Sequence, residues 1–231
     1  MGLLIALAAT VAACQAGAVD APAGGQQDAA TAEKVVPDRK VPERSSSSSC
    51  AGVEAAWRHA ATQNDRERLR NWRTLWVDAL AKAKAAGGAA TIAGDDALFD
   101  PDRALDHPIP PPGDYRCRII KLGAKRQENQ GFVILPAASC TVGKDGDETW
   151  FEVNDGVQRP IGRFFVGPPG RGIFLGTLEL GDERRPLEYG LDSRRDMIAY
   201  LDRIGDRRWR LIAPNPHFDA TVELMEIVSA R

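Results

Sequence analysis

The chain has 231 residues, 43% of them hydrophobic and 27% charged, a balance that excludes both a disordered chain and a multi-span membrane protein. Thirty basic and thirty-two acidic side chains leave a formal charge of −2, so the global electrostatics recruit neither nucleic acid nor an anionic membrane. Beyond the N-terminus no stretch approaches the ~20 apolar residues that a membrane-crossing helix needs, so any membrane contact must begin there.

The chain opens MGLLIALAATVAACQAG, and Leu3 to Ala13 form an uncharged apolar run ending in small residues, as the core of an export signal does. Val11-Ala12-Ala13-Cys14 resembles a bacterial lipobox, in which small side chains precede the cut and a thiol receives diacylglycerol. This predicts a lipoprotein signal peptide over residues 1–13 and a lipidated Cys14. No Lys or Arg precedes the apolar run, and the competing reading is an ordinary secretory signal with an incidental cysteine. Acyl chains worth roughly 0.8 kcal/mol per buried methylene would hold the protein on a leaflet. By analogy with enteric sorting rules, Gln15 after the cysteine places it on the outer membrane, facing the periplasm.

Residues 14–52 are rich in Ala, Gly, Gln, Asp, Pro and Ser, including the run Ser45 to Ser49, with almost no bulky apolar side chains. Such a composition does not offset the entropy of ordering and predicts a disordered tether spanning roughly 30–40 Å. A helical preface is expected over 53–112. Thr62-Gln63-Asn64-Asp65 fits a capping box in which Thr62 accepts an amide bond and Asp65 returns one. Leu69, Trp72, Trp76, Leu80 and Ala83 form one apolar stripe that Gly87-Gly88 ends, and Arg66, Arg68, Arg70 and Arg73, interleaved with acids, read as a solvated face. Beyond Ala93, Pro101 and Pro108 allow only short helical turns before the rigid lead-in Pro110 to Pro112, a subdomain boundary.

From Gly113 the period becomes two. Candidate strands are Asp114–Leu122, Phe132–Val142, Glu148–Asn154, Val157–Val166, Gly172–Leu180, Asp196–Ile204, Trp209–Ala213 and Thr221–Val228, separated by turn signals such as Asp145-Gly146 and Asp155-Gly156. No connection has room for a crossover helix, so the strands form an antiparallel meander. The predicted fold class is α+β: short N-terminal helices followed, over 113–231, by an eight-stranded antiparallel lipocalin-like β-barrel, with a two-sheet sandwich as the rival.

The motifs for chemistry are sparse. His59, His107 and His217 lie in separate segments, and no HxxxH or CxxC pair is present, so no metal site and no cofactor are expected. There is no GxSxG elbow. Gly167 to Gly172 lacks the Lys-Ser/Thr ending of a phosphate loop, and Gly143 to Glu148 falls short of a calcium loop; both read as hairpin turns. Gln158, Arg159, Tyr189, Arg195 and Asp196 are polar groups in or beside strands, where inward ones must be paired. They are either an ion pair closing a barrel end or a ligand-binding cluster suited to a small anionic or amphipathic ligand. Cys117 and Cys140 lie on the first two strands at similar distances from the intervening loop, which predicts a disulfide and leaves Cys50 free or intermolecular. Alternation turns Arg116 and Arg118 away from the face that carries Cys117, so they do not activate its thiol.

In order, DRERLRNWR, GDYRCR, QRPIGR, FLGTLELGDE, YGLDSRRD and RIGDRRWRLIAP cover most of Gly52 to Val228. Together they resemble an uncharacterised family of alphaproteobacterial proteins, the domain-of-unknown-function family 4893. The resemblance implies an exported or lipid-anchored protein and brings no catalytic residues to carry over. The expected function is a non-enzymatic cell-envelope lipoprotein, attached to the membrane by its lipid, that binds a small ligand or an envelope protein through the barrel. Alternatives are an envelope hydrolase with a site dispersed around Tyr189, Arg195 and Asp196, or a periplasmic protease-inhibitor-like protein.

Overall fold

The computed structural model describes residues 56–126, 130–181 and 183–230, all within one unit, Gly52–Arg231. The signal segment, the lipidation site Cys14, the tether and Cys50 lie outside the described residues. After a helical turn over 56–60 come α1 (Gln63–Arg70), α2 (Trp72–Ala83), a kinked turn (Lys84–Gly88), α3 (Ala89–Ala93) and α4 (Asp96–Phe99). The strands are β1 (Gly113–Ala124), β2 (Phe132–Ile134), β3 (Ala138–Asp145), β4 (Glu148–Val153), β5 (Gln158–Val166), β6 (Gly172–Leu180), β7 (Asp196–Gly205), β8 (Arg208–Pro214) and β9 (Ala220–Ser229).

The strands run as an antiparallel meander, and β1 also pairs with β9 from Tyr115↔Ser229 to Ala124↔Ala220. That pairing closes an eight-stranded barrel and removes the sandwich alternative, because closure leaves the main strands no free edge. The expected strand Phe132–Val142 is two pieces. β2 and β3 both pair with the same edge of β1, at Ile120↔Ile134 and at Cys117↔Ala138 respectively. Between them lies Pro136, which has no amide to donate, while Leu135 packs against the barrel core.

Alternation puts Tyr115, Cys117 and Ile119 inside, against Phe151, Phe164, Phe174, Leu201, Leu211 and Ile227. The three phenylalanines pack with ring centroids 5.4–5.9 Å apart. The interior is therefore a packed core, each large side chain contributing about 1.5–3 kcal/mol. The disulfide Cys117–Cys140 lies in this core, with Cα atoms 6.0 Å apart. Cys140 stands opposite Tyr115, so the bond runs diagonally across the β1–β3 pair.

A second core lies outside the barrel. β8 and β9 are buried along most of their length because their outward residues, Ile212, Val222 and Leu224, are also apolar. With Ile120 and Leu122 of β1 they receive Trp76, Ala79 and Ala83 of α2. The helices and barrel share this core, so Pro110 to Pro112 do not separate two subdomains. The expected continuous helix is broken at Asn71, whose φ of −95° and ψ of 6° end α1. Gly87, at φ +96°, ends the next helical run in the left-handed region that favours glycine, and α3 resumes at once.

Two buried charges stand out. On the outer face Arg210, wholly buried under α4, donates to Asp202 Oδ2 at 3.0 Å, to the Leu98 carbonyl at 2.8 Å and to the Arg103 carbonyl at 3.0 Å. The Trp76 ring lies 4.9 Å from its guanidinium. On the inner face Glu223, between Lys121 of β1 and Ala213 of β8, is buried at the end of the barrel where β9 begins. Burial raises its carboxyl pKa against the opposing pull of Lys121. A folded state that holds this proton to higher pH than the unfolded chain loses stability as pH rises above the unfolded carboxylate value of about 4.3. Glu223→Gln removes this dependence. It is expected to raise the urea midpoint at pH 7 and to leave it nearly unchanged at pH 4; equal shifts at both pH values would contradict this.

Candidate functional site

Of the five residues singled out from sequence, Arg159, Arg195, Tyr189 and Asp196 fall in two polar clusters and Gln158 in neither. In the first, Arg159 faces outward from β5 and its Nε donates to Glu179 Oε2 across the β5–β6 pair at 3.3 Å. Its Nη2 donates to the Glu183 carbonyl at 2.7 Å. Arg195 Nη1 donates to both Glu183 carboxylate oxygens at 2.6 Å. Glu183 thus joins the two arginines, and its pKa is lowered mainly by the hydrogen bond from Arg195. Gln158 points inward, with its Oε1 buried and without a hydrogen-bond partner among the described residues.

In the second cluster Tyr189 donates its hydroxyl proton to Asp65 and accepts the Thr62 amide at 3.0 Å. Burial, then the bond to Asp65, raises the phenol pKa. Asp65 also accepts from Arg68 Nη2 at 2.6 Å, and the same nitrogen donates to the Asp196 carbonyl at 3.1 Å. Thr62 caps α1 as expected, accepting the Asp65 amide at 3.2 Å. The Asp65 side chain serves Arg68 and Tyr189. Arg68, read from sequence as part of a solvated face, is buried: it ties α1 to β7 and, through the Asn215 carbonyl at 3.4 Å, to the β8–β9 loop. Asp196 accepts the Gly190 amide at 2.8 Å, and burial raises its pKa. The chain neighbours Arg195 and Asp196 therefore serve different partners, because successive residues project to opposite sides. Sequence reasoning missed Glu183, Asp65 and Arg68, although all three lie within the motifs that carry the family resemblance.

The open concavity lies on the outer face of β4–β6, at the edge of the helical cover. It is a groove of about 690 Å³, floored by Trp150, Ile161, Phe165 and Leu175 and walled by Ala60 and by Pro186 to Tyr189. Its volume is in the range of small-molecule sites. Trp150 lies across Gly143 on the paired strand, where an added Cβ would fall 1.9 Å from the indole ring. The indole is thereby held flat on the sheet. Opposite each other on β5 and β6, Gly162 and Gly176 approach so closely that a Cβ on either would lie 2.2 Å from the neighbouring backbone. Glycine permits this tight approach of β5 to β6 beneath the groove.

Of the predicted residues, Tyr189 alone lines the groove. Among the described residues no group of three or more His, Cys, Asp and Glu side chains is placed to hold a metal ion, and no helix is long and apolar enough to cross a membrane. Compared with known proteins, residues 57–227 match the model of a family described as Domain of unknown function (DUF4893). No curated protein and no solved structure matches the chain significantly.

Proposed function

From the premise that the chain belongs to the domain-of-unknown-function family DUF4893, we propose that it is a non-enzymatic envelope lipoprotein whose barrel is a rigid binding module. Its ligand binds in the external groove on β4–β6, not in the barrel lumen. The observation that carries this reading is the contrast between the two surfaces. The lumen is filled by aromatic and aliphatic side chains, while Ile161, Phe165 and Trp150 remain only partly buried around an open groove. A concave site lined mainly by apolar and aromatic groups with a few polar ones is the usual form of a small-molecule site.

The predicted polar cluster supports a structural role beside that groove. Arg159 spends its donors on Glu179 and on backbone carbonyls, and Arg195 is paired with the Glu183 carboxylate, so the charge of each is already engaged within the protein. Tyr189 is held by Asp65 and Thr62, and so sets one wall of the groove. The hydrolase reading needs a nucleophile and a base within hydrogen-bond reach. The three residues proposed for it are not hydrogen-bonded to one another: Tyr189 bonds to Asp65, Arg195 to Glu183 and Asp196 to the Gly190 amide. The export signal and Cys14 support attachment to the outer membrane, with the module facing the periplasm.

Native purification from membranes followed by mass spectrometry tests both halves. The expected result is a diacylglyceryl adduct on Cys14 and a co-purifying ligand that is lost in Ile161→Asp, a substitution on the half-buried groove floor. An unmodified N-terminus produced at another cleavage site overturns the lipoprotein assignment. Equal ligand retention by Ile161→Asp overturns the groove assignment.

A further inference from the structure

We infer that the external groove takes a single-chain cationic amphiphile: an ammonium head at its acidic, aromatic rim and an apolar chain on its floor. The inference rests on the groove being the binding site and adds the chemistry of its ligand. Four charged side chains line the groove, and they are not balanced. Glu148 accepts from Arg163 Nη1 at 2.9 Å, so this exposed pair is internally neutralised. Asp145 and Glu188 are both exposed and have no side-chain hydrogen bond or ion pair among the described residues. Arg184 and Arg185 precede the wall in sequence but do not line it. The site therefore presents two unmatched carboxylates around an apolar surface.

The aromatic groups reinforce the same preference. A cation is attracted to the face of an indole, phenol or phenyl ring, most strongly to tryptophan. Trp150 is held against Gly143 and offers its other face; Tyr189 is held through its hydroxyl by Asp65 and Thr62. Neither ring needs to be ordered when a ligand arrives, which lowers the entropic cost of binding. An anion would meet the negative faces of these rings and the two carboxylates. A neutral chain would use the floor formed by Ile161, Phe165 and Leu175 and gain nothing from the rim.

The test is titration calorimetry of the soluble chain with three decyl compounds at submicellar concentration: decyltrimethylammonium, decyl maltoside and decanoate. Decyltrimethylammonium is expected to bind most tightly. The double variant Asp145→Asn/Glu188→Gln should weaken it by about tenfold at low ionic strength, and added salt should narrow the difference between variant and parent. Leu187→Arg, on the exposed wall, should abolish binding of the cation while leaving the thermal melt unchanged. Equal binding of all three compounds overturns the charge assignment and leaves the groove as the site. Preference for decanoate also overturns it. Binding of a Leu- and Lys-containing pentapeptide without binding of the amphiphile assigns the groove to a peptide and overturns the proposal. No binding of any probe, together with equal ligand retention by Ile161→Asp, overturns the groove itself.

Discussion

Replacing Arg210 with alanine is expected to destabilise the folded chain by about 3–5 kcal/mol, the range for removing one partner of a buried ion pair. For a body of this size that corresponds to a fall in melting temperature on the order of 10 °C. The cause is the loss of several satisfied groups at once. Asp202 would keep its place with no accessible surface, and Arg171, its remaining cation, lies 3.5 Å away outside hydrogen-bonding geometry. The carbonyls of Leu98 and Arg103 would lose their donor, and with it the bonds that hold α4 and the segment after it against β8. Burial already raises the Asp202 carboxyl pKa; without Arg210 it rises further. Arg210→Lys separates charge from geometry. An ammonium beside Asp202 keeps the charge but does not reach the carboxylate and both carbonyls as a planar fork does, so it should recover only part of the loss. Thermal and urea unfolding of the two variants measure this. A loss below about 1 kcal/mol in Arg210→Ala would show that water reaches the pair and that α4 is not secured through it.

Removing the disulfide with Cys117→Ala/Cys140→Ala is expected to cost about 3 kcal/mol in the chain-entropy account. The bond joins residues 23 apart in sequence, and the loop it closes includes β2, the link through Pro136 and the start of β3. Both sulfurs sit in the barrel core, where Cys117 and Cys140 are almost fully buried, so the alanines also leave unfilled space. Unfolding with and without reductant should reproduce most of the loss for the parent chain and none for the double variant. A reductant effect that persists in the double variant would locate it outside this pair. Non-reducing peptide mapping provides the direct check on Cys117.

Strand boundaries were legible in the sequence, because period two and tight turns are local signals: Gly172–Leu180 is the expected segment unchanged, and most others move by one to three residues. The Cys117–Cys140 pairing was legible because a hairpin makes sequence distance from the turn into spatial register. The split of Phe132–Val142 was less so, although Pro136 was its visible cause. Arg68 was misread because acidic and basic neighbours make a solvated face and a buried clip look alike from the side-chain pattern. In Arg195-Asp196 adjacency suggested a pair, while strand geometry sent each residue to a different partner.

The sequence by itself determined the meander, the antiparallel pairing and the placement of helices before strands, since each arises from periodicity and loops too short for a crossover. Only the tertiary structure decided whether the barrel was hollow or filled, because that depends on how side chains from separate strands interdigitate across the lumen. Only it placed the groove. Trp150, Ile161, Phe165 and Leu175 come from three strands, and each looks like ordinary core in its own segment. They line one open groove because the helical cover ends at Ala60 and Ala61 and leaves the outer face of β4 and β5 open, a boundary set by packing between distant parts of the chain.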